Sequence, residues 1–128
     1  MIHERHYTLD EASELLPGMV DLLGRMRSAR DRLGDSEARE ALSEAGPTNG
    51  GGDPGRTVSE GFLELRDAVA QLQALEVQVR DLDRGLIDFP SLRDGREVYL
   101  CWEEGEDAIR FWHEPDAGFA GRRPLDHG

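Results

Sequence analysis

The chain is predicted to be α+β: a long antiparallel helical hairpin packed with a small three-stranded antiparallel sheet. Three observations predict it. Apolar residues recur at helical spacing through two long stretches. A Gly- and Pro-rich stretch separates them, and after Gly85 the apolar spacing changes to two. At 128 residues the expectation is a single domain over 1–128. The hairpin would occupy about 8–83 with a flexible loop at 45–57, and the β region and tail about 85–128.

The first helix opens at Thr8-Leu9-Asp10-Glu11, which has the form of a capping box. Ala12, Leu15, Met19, Leu22, Met26, Ala29 and Leu33 then mark a seam that faces a partner, with Leu16 and Leu23 widening it. Pro17 would either kink this helix or start its long part. Gly34 weakens its far end, and Asp35 or Ser36 is placed to cap a continuation through Leu42. From Gly46 to Gly55 the composition is that of a linker. A phosphate loop is excluded there, because no Gly-Lys-Ser/Thr ending and no strand accompany the glycines. The second helix is expected from about Val58 to Leu82, on the seam Val58, Phe62, Leu65, Val69, Leu72 and Val79. Glu76 fills one slot of that seam, unless a one-residue drift hands the stripe to Leu75, Val79 and Leu82. Two amphipathic helices and a loop make a hairpin.

Three strands follow. Leu86–Phe89 is ended by Pro90, Asp94-Gly95 is a hairpin turn, and Glu97–Trp102 and Ala108–His113 are joined through Glu103–Asp107. Strand alternation puts Val98, Leu100 and Trp102 on one face with Ile109, Phe111 and His113, and with Ile87 and Phe89. That face should meet the helices. The opposite face would carry Asp88, Tyr99, Cys101, Arg110, Trp112 and Glu114, with Tyr99 across from Arg110 and Val98 across from Phe111. A bulge at Gly105 would shift that register. The tail from Pro115 reads as loop or coil.

Charge excludes several functions. Asp and Glu number 27 against 15 basic residues, all Arg, for a net charge of −12. Nucleic acids and anionic membrane surfaces are poor partners for such a chain. The absence of Lys removes Schiff-base chemistry. Cys101 is the one cysteine, so neither an internal disulfide nor a cysteine-cluster zinc site can form within one chain. The first 20 residues contain no signal-like apolar run, and no stretch approaches the ~18 apolar residues of a membrane span. A cytoplasmic protein is expected.

The stretch Gly85–Pro90, Asp94–Trp102, Gly105-Glu106, Phe111–Glu114 and Asp116–Arg122, with Tyr7–Ala12 and Leu15-Leu16-Pro17 near the start, resembles DUF2203, a family of small prokaryotic proteins of unknown function. The resemblance covers nearly the whole chain and is strongest over 81–122. It implies a bacterial or archaeal protein and carries over no catalytic residue, cofactor or substrate.

The mixed face of Asp88, Tyr99, Cys101, Arg110, Trp112 and Glu114 has two readings. The tail or a second subunit covers it, or it binds a ligand or partner. His113 likewise is either a core-edge histidine bonded to a carbonyl or carboxylate, or a metal ligand or acid–base group. For a divalent ion such as Fe, Mn or Zn, His113 would be joined by Glu106 and Asp116, with Asp107, Glu114 and the more distant Glu76 or Asp83 as further oxygen donors. Cys101 should point away from His113, which disfavours a shared Cys/His site. Arg122-Arg123 would hold an anion or, better suited to an acidic chain, pair with helix carboxylates. His3, His6 and His127 offer adventitious metal binding.

The expected function is a small binding or interaction protein, a homo-oligomer such as a dimer, with a divalent metal at His113 as the concrete chemistry. The alternatives are a small metal-assisted or acid–base enzyme, which no motif supports, and a purely structural partner of other helices. Acids also outnumber arginines between Arg93 and Arg123, which turns that region toward cations.

Overall fold

The computed structural model describes residues 2–34 and 53–125, with side chains described from Glu60 onward in the second stretch. Two helices and five strands follow in the order α1 (Leu9–Gly34), α2 (Asp53–Leu75), β1 (Gln78–Asp81), β2 (Leu86–Arg93), β3 (Arg96–Glu103), β4 (Phe111–His113) and β5 (Arg123–Pro124). The expected helix continuation through Leu42 and the loop residues 45–52 lie outside the described residues.

The chain forms two compact units. One comprises Leu22–Gln71, and the other joins Met1–Asp21 to Leu72–Gly128.

In the first unit the distal parts of α1 and α2 meet. Leu22, Leu23, Met26 and Ala29 of α1 are buried, as are Gly61 and Ala68 of α2. A Cβ on Gly61 would lie 3.0 Å from the Ala29 carbonyl oxygen, so the helices touch there. Arg32 Nη1 donates to Glu64 Oε2 at 2.7 Å beside that contact. The buried stripe of α2 runs through Gly61, Ala68 and the expected Leu72, whereas Phe62 and Val69, also expected in the seam, are exposed. α2 also starts within the expected loop, at Asp53-Pro54, because proline suits a first helical turn.

The second unit holds the sheet, and its strand order β1-β2-β3-β4-β5 is an antiparallel meander. The expectation of three strands is wrong: the described residues form five. β1 was hidden in the expected second helix, which stops at Leu75. Glu76 takes a positive φ of 59° there, with Glu76 N–H bonded to Gln73 O and Val77 N–H to Leu72 O. This is a Schellman end with Glu where Gly is usual. Val77-Gln78-Val79 then alternates as a strand. β5 is two residues long and was read as coil.

β2 also runs through Pro90 instead of ending there. Pro90 O accepts from Tyr7 N–H at 2.7 Å, and a strand residue's N and O point to the same side. That side lies past the end of β1, where Gln78 pairs with Asp88, so the missing N–H removes no ladder bond. The Asp94-Gly95 turn is as expected, with both residues at positive φ, 53° and 76°.

Thr8 and Glu11 form the reciprocal capping box that starts α1, at 2.8 and 3.1 Å. Ser91 Oγ donates to Tyr7 O, and the Tyr7 and Phe89 rings meet edge-on at 5.9 Å, which ties the entry to α1 to β2. No helix among the described residues is long and apolar enough to cross a membrane.

Candidate metal centre

The pairing of β3 with β4 decides which side chains share a face. Tyr99 lies across from His113, Leu100 from Trp112 and Cys101 from Phe111. The expected register put Tyr99 across from Arg110. The true register differs by three residues, an odd number, so every β4 side chain changes face. The cause is the loop between the strands. Trp102 Nε1 donates to Glu106 O and Glu103 N–H to Glu106 Oε1, and Gly105 has φ 106°, so this segment folds on itself and delays β4.

Ile87, Phe89, Leu100 and Trp102 keep their expected shared face, and Trp112 joins them. Phe111 and His113 move to the other face, with Asp88, Tyr99 and Cys101. The expectation that Cys101 and His113 point apart is thereby corrected.

Asp88, Cys101 and His113 now converge. Each offers one ligand atom, and the three atoms lie within 4.8 Å of one another. All three are buried, Asp88 and His113 with only 1% and 2% exposure. Asp88 Oδ2 is 2.9 Å from His113 Nε2 and accepts at 2.9 Å from Arg80 Nε. Arg80 reaches that face from the edge strand by simple alternation, two residues after Gln78, which pairs with Asp88. His113 Nδ1 lies 2.7 Å from Glu114 O.

Burial alone would raise the Asp88 pKa, but the His113 and Arg80 hydrogen bonds and charges outweigh it, so the carboxyl is held below its usual range. Burial alone would lower His113, but the bonds to Asp88 and to the Glu114 carbonyl raise it. Both partners of the ring are acceptors, an arrangement that favours the protonated ring. The Cys101 thiol is pushed up to about 12 by burial and then by the Asp88 carboxylate. Asp88 Oδ1 has no hydrogen-bond partner although it is buried. A buried carboxylate oxygen without a donor is costly, and a cation would satisfy it.

A cavity of about 310 Å³ opens on this cluster. Arg80, Asp88, Cys101 and His113 line it together with the turn Pro115–Phe119. Asp116 is therefore at the same cavity, on its exposed side. The other expected site residues lie elsewhere. The Glu106 carboxylate is engaged by Arg122 Nη2 at 2.8 and 3.0 Å, so Arg122 pairs with a loop acid and not with a helix. Arg110 pairs with Asp107 in the open, Glu114 faces Arg96 at 3.7 Å, and Trp112 is buried on the opposite face of the sheet, beside Leu100. Tyr99 stacks at a tilt on His113, ring centroids 5.5 Å apart, and its hydroxyl lies 2.6 Å from His3 Nε2.

Sequence reasoning missed Arg80, which a helical reading of 58–82 placed far from Asp88. It also missed the Cys101–His113 pairing, for which the one signal was Gly105. His127 lies outside the described residues, and His3 and His6 do not form a metal group among them. Their carboxylate partners, Glu76 and Glu97, also accept backbone N–H bonds from Ile2 to Arg5.

No curated protein and no solved structure matches the chain. The family DUF2203, described as an uncharacterized conserved protein, matches residues 5–125. The match spans nearly every described residue, sheet and cluster included, and the chain belongs to the DUF2203 family.

Proposed function

We propose that the protein binds one divalent metal ion through Asp88, Cys101 and His113, and that the bound ion serves as a ligand-binding centre. The observation that carries the proposal is the unpartnered, buried Asp88 Oδ1 beside a thiol and an imidazole. Mixed S, N and O donors suit zinc better than magnesium or calcium, which take oxygen alone. The Nδ1–H bond from His113 to the Glu114 carbonyl is the outer support that metal-ligating histidines use, and it leaves Nε2 for the ion. Binding would displace the Nε2 and thiol protons, so a metal competes with protons at this cluster.

In this reading the protein works in the reducing cytoplasm, where the Cys101 thiol persists, and it self-associates. A metal-assisted enzyme is the second reading. It is favoured by the open side of the cluster, since structural zinc sites are closed and catalytic ones keep a position free.

Calorimetry and native mass spectrometry with zinc test metal binding. One ion per chain is expected, with Cys101→Ser and His113→Gln each weakening it by at least about tenfold while the circular dichroism is retained. Substoichiometric zinc, equal in the wild type and both variants, would dismiss the proposal.

A further inference from the structure

The three side chains at the cluster leave a four-coordinate ion one position short, and that position opens to the cavity. Charge then sets what can fill it. A divalent ion with the Asp88 carboxylate, the Cys101 thiolate and neutral His113 would leave the centre uncharged, and Arg80 adds one positive charge. That excess sits at the buried end of the cavity, with Asp116 on the exposed side, so the position at the ion suits a monoanion. Among the described residues Arg80 is the one arginine lining the cavity. Its Nε is taken by Asp88 Oδ2, and the Tyr99 ring lies 5.1 Å from its guanidinium carbon. The guanidinium is thus held at the cavity with its terminal nitrogens beyond the bonded Nε.

The rest of the wall narrows the class. Leu86, Pro115, Ala117 and Phe119 are apolar, so part of the ligand can be hydrocarbon. Asp116 on the exposed side and the net charge of −12 oppose a dianion such as phosphate. A volume of about 310 Å³ is at the small end for organic ligands.

Resting on the metal reading above, we propose that the loaded centre binds a short-chain carboxylate. One of its oxygens would fill the open position on the ion and the other would face the Arg80 guanidinium. Arg80 is suited to this because its fork matches a carboxylate, whereas a point charge does not.

The test uses the full chain loaded with Co(II), whose visible bands report each change of ligand. Propionate is titrated into the wild type, Arg80→Met and Arg80→Lys, and inorganic phosphate into the wild type. Saturable change of the bands by propionate is expected, weakened roughly tenfold or more in Arg80→Met and less in Arg80→Lys, with phosphate weaker than propionate. Cobalt titration of each variant without anion shows that the ion itself still binds. Bands that form but ignore propionate, or an equal response in Arg80→Met, would overturn the carboxylate proposal and leave the metal site standing. Tighter binding of phosphate would overturn the carboxylate class. Failure of the cobalt bands to form in the wild type would overturn the metal reading and this proposal with it.

Discussion

At the scale of single residues, two carboxylates, Glu97 and Glu76, show how local chemistry holds the N-terminal segment in place. Glu97 accepts from Ile2 N–H and His3 N–H at 2.9 Å each, and it meets His6 Nε2 at 2.8 Å. Burial alone would raise its pKa, yet these bonds bring it down to about 2. Glu76 does the same for Glu4 and Arg5, at 3.2 and 2.8 Å, and its carboxyl is also lowered, against burial, by His3 and those N–H groups. This second clamp offsets the positive φ at Glu76, which costs a non-glycine residue about 1 kcal/mol or more. The sign for Glu97 follows from its depressed value. Its contribution is full above the ordinary 4.5 and is lost as the pH falls toward 2. Urea unfolding at stepped pH should therefore show the wild type losing about 1–2 kcal/mol more than Glu97→Gln across that window, since solvent screens part of the clamp. Glu97→Gln should start lower and lose less. Parallel curves for the two proteins would show that the clamp does not hold the segment.

At the scale of elements, the seam of α1 was legible because its contacts are made by large side chains at regular spacing. Ala12, Met19, Leu22, Met26 and Ala29 are all buried as the spacing required. The α2 seam was legible only in part: Leu72 is buried as expected, but Gly61 and Ala68, which complete the buried stripe, carry little hydrophobic signal. Phe62 and Val69 drew the reading to a neighbouring face. The sheet was legible in its central pair, where Asp94-Gly95 fixes the register of β2 on β3. It was not legible where tertiary bonds decide, at the helix end without glycine and in the β3–β4 loop. The candidate site suffered most, since an odd register error moves every β4 side chain to the wrong face. Two glycines test the helix contact. Gly24→Ala meets open space and should stabilise by up to about 1 kcal/mol. Gly61→Ala drives its methyl against the Ala29 carbonyl and the Arg32 Cβ at 3.0 Å each, and should cost about 1–2 kcal/mol. Equal stabilisation by both in thermal melts would refute the close helix contact.

At the scale of the whole molecule, the acidic balance acquires a location. The buried cluster holds Asp88 between His113 and Arg80, so charge at its centre is paired while one carboxylate oxygen stays unsatisfied. A fold that only stabilised itself would gain by giving that oxygen a donor. A fold that receives a cation leaves it open. The edge strand supplies Arg80, the central strands supply Asp88 and Cys101, β4 supplies His113, and the turn Pro115–Phe119 borders the cavity above them. No two of the three ligands are neighbours in sequence, so the centre exists only in the folded sheet. Cobalt absorption of the wild type and Cys101→Ser tests this most directly, because a thiolate bound to Co(II) gives a near-ultraviolet charge-transfer band that oxygen and nitrogen ligands do not. The band should rise to saturation at one equivalent in the wild type and be absent in Cys101→Ser, with intense visible bands of a four-coordinate ion in the wild type. Cobalt that binds without the thiolate band, or a band that persists in Cys101→Ser, would contradict the Asp88–Cys101–His113 centre.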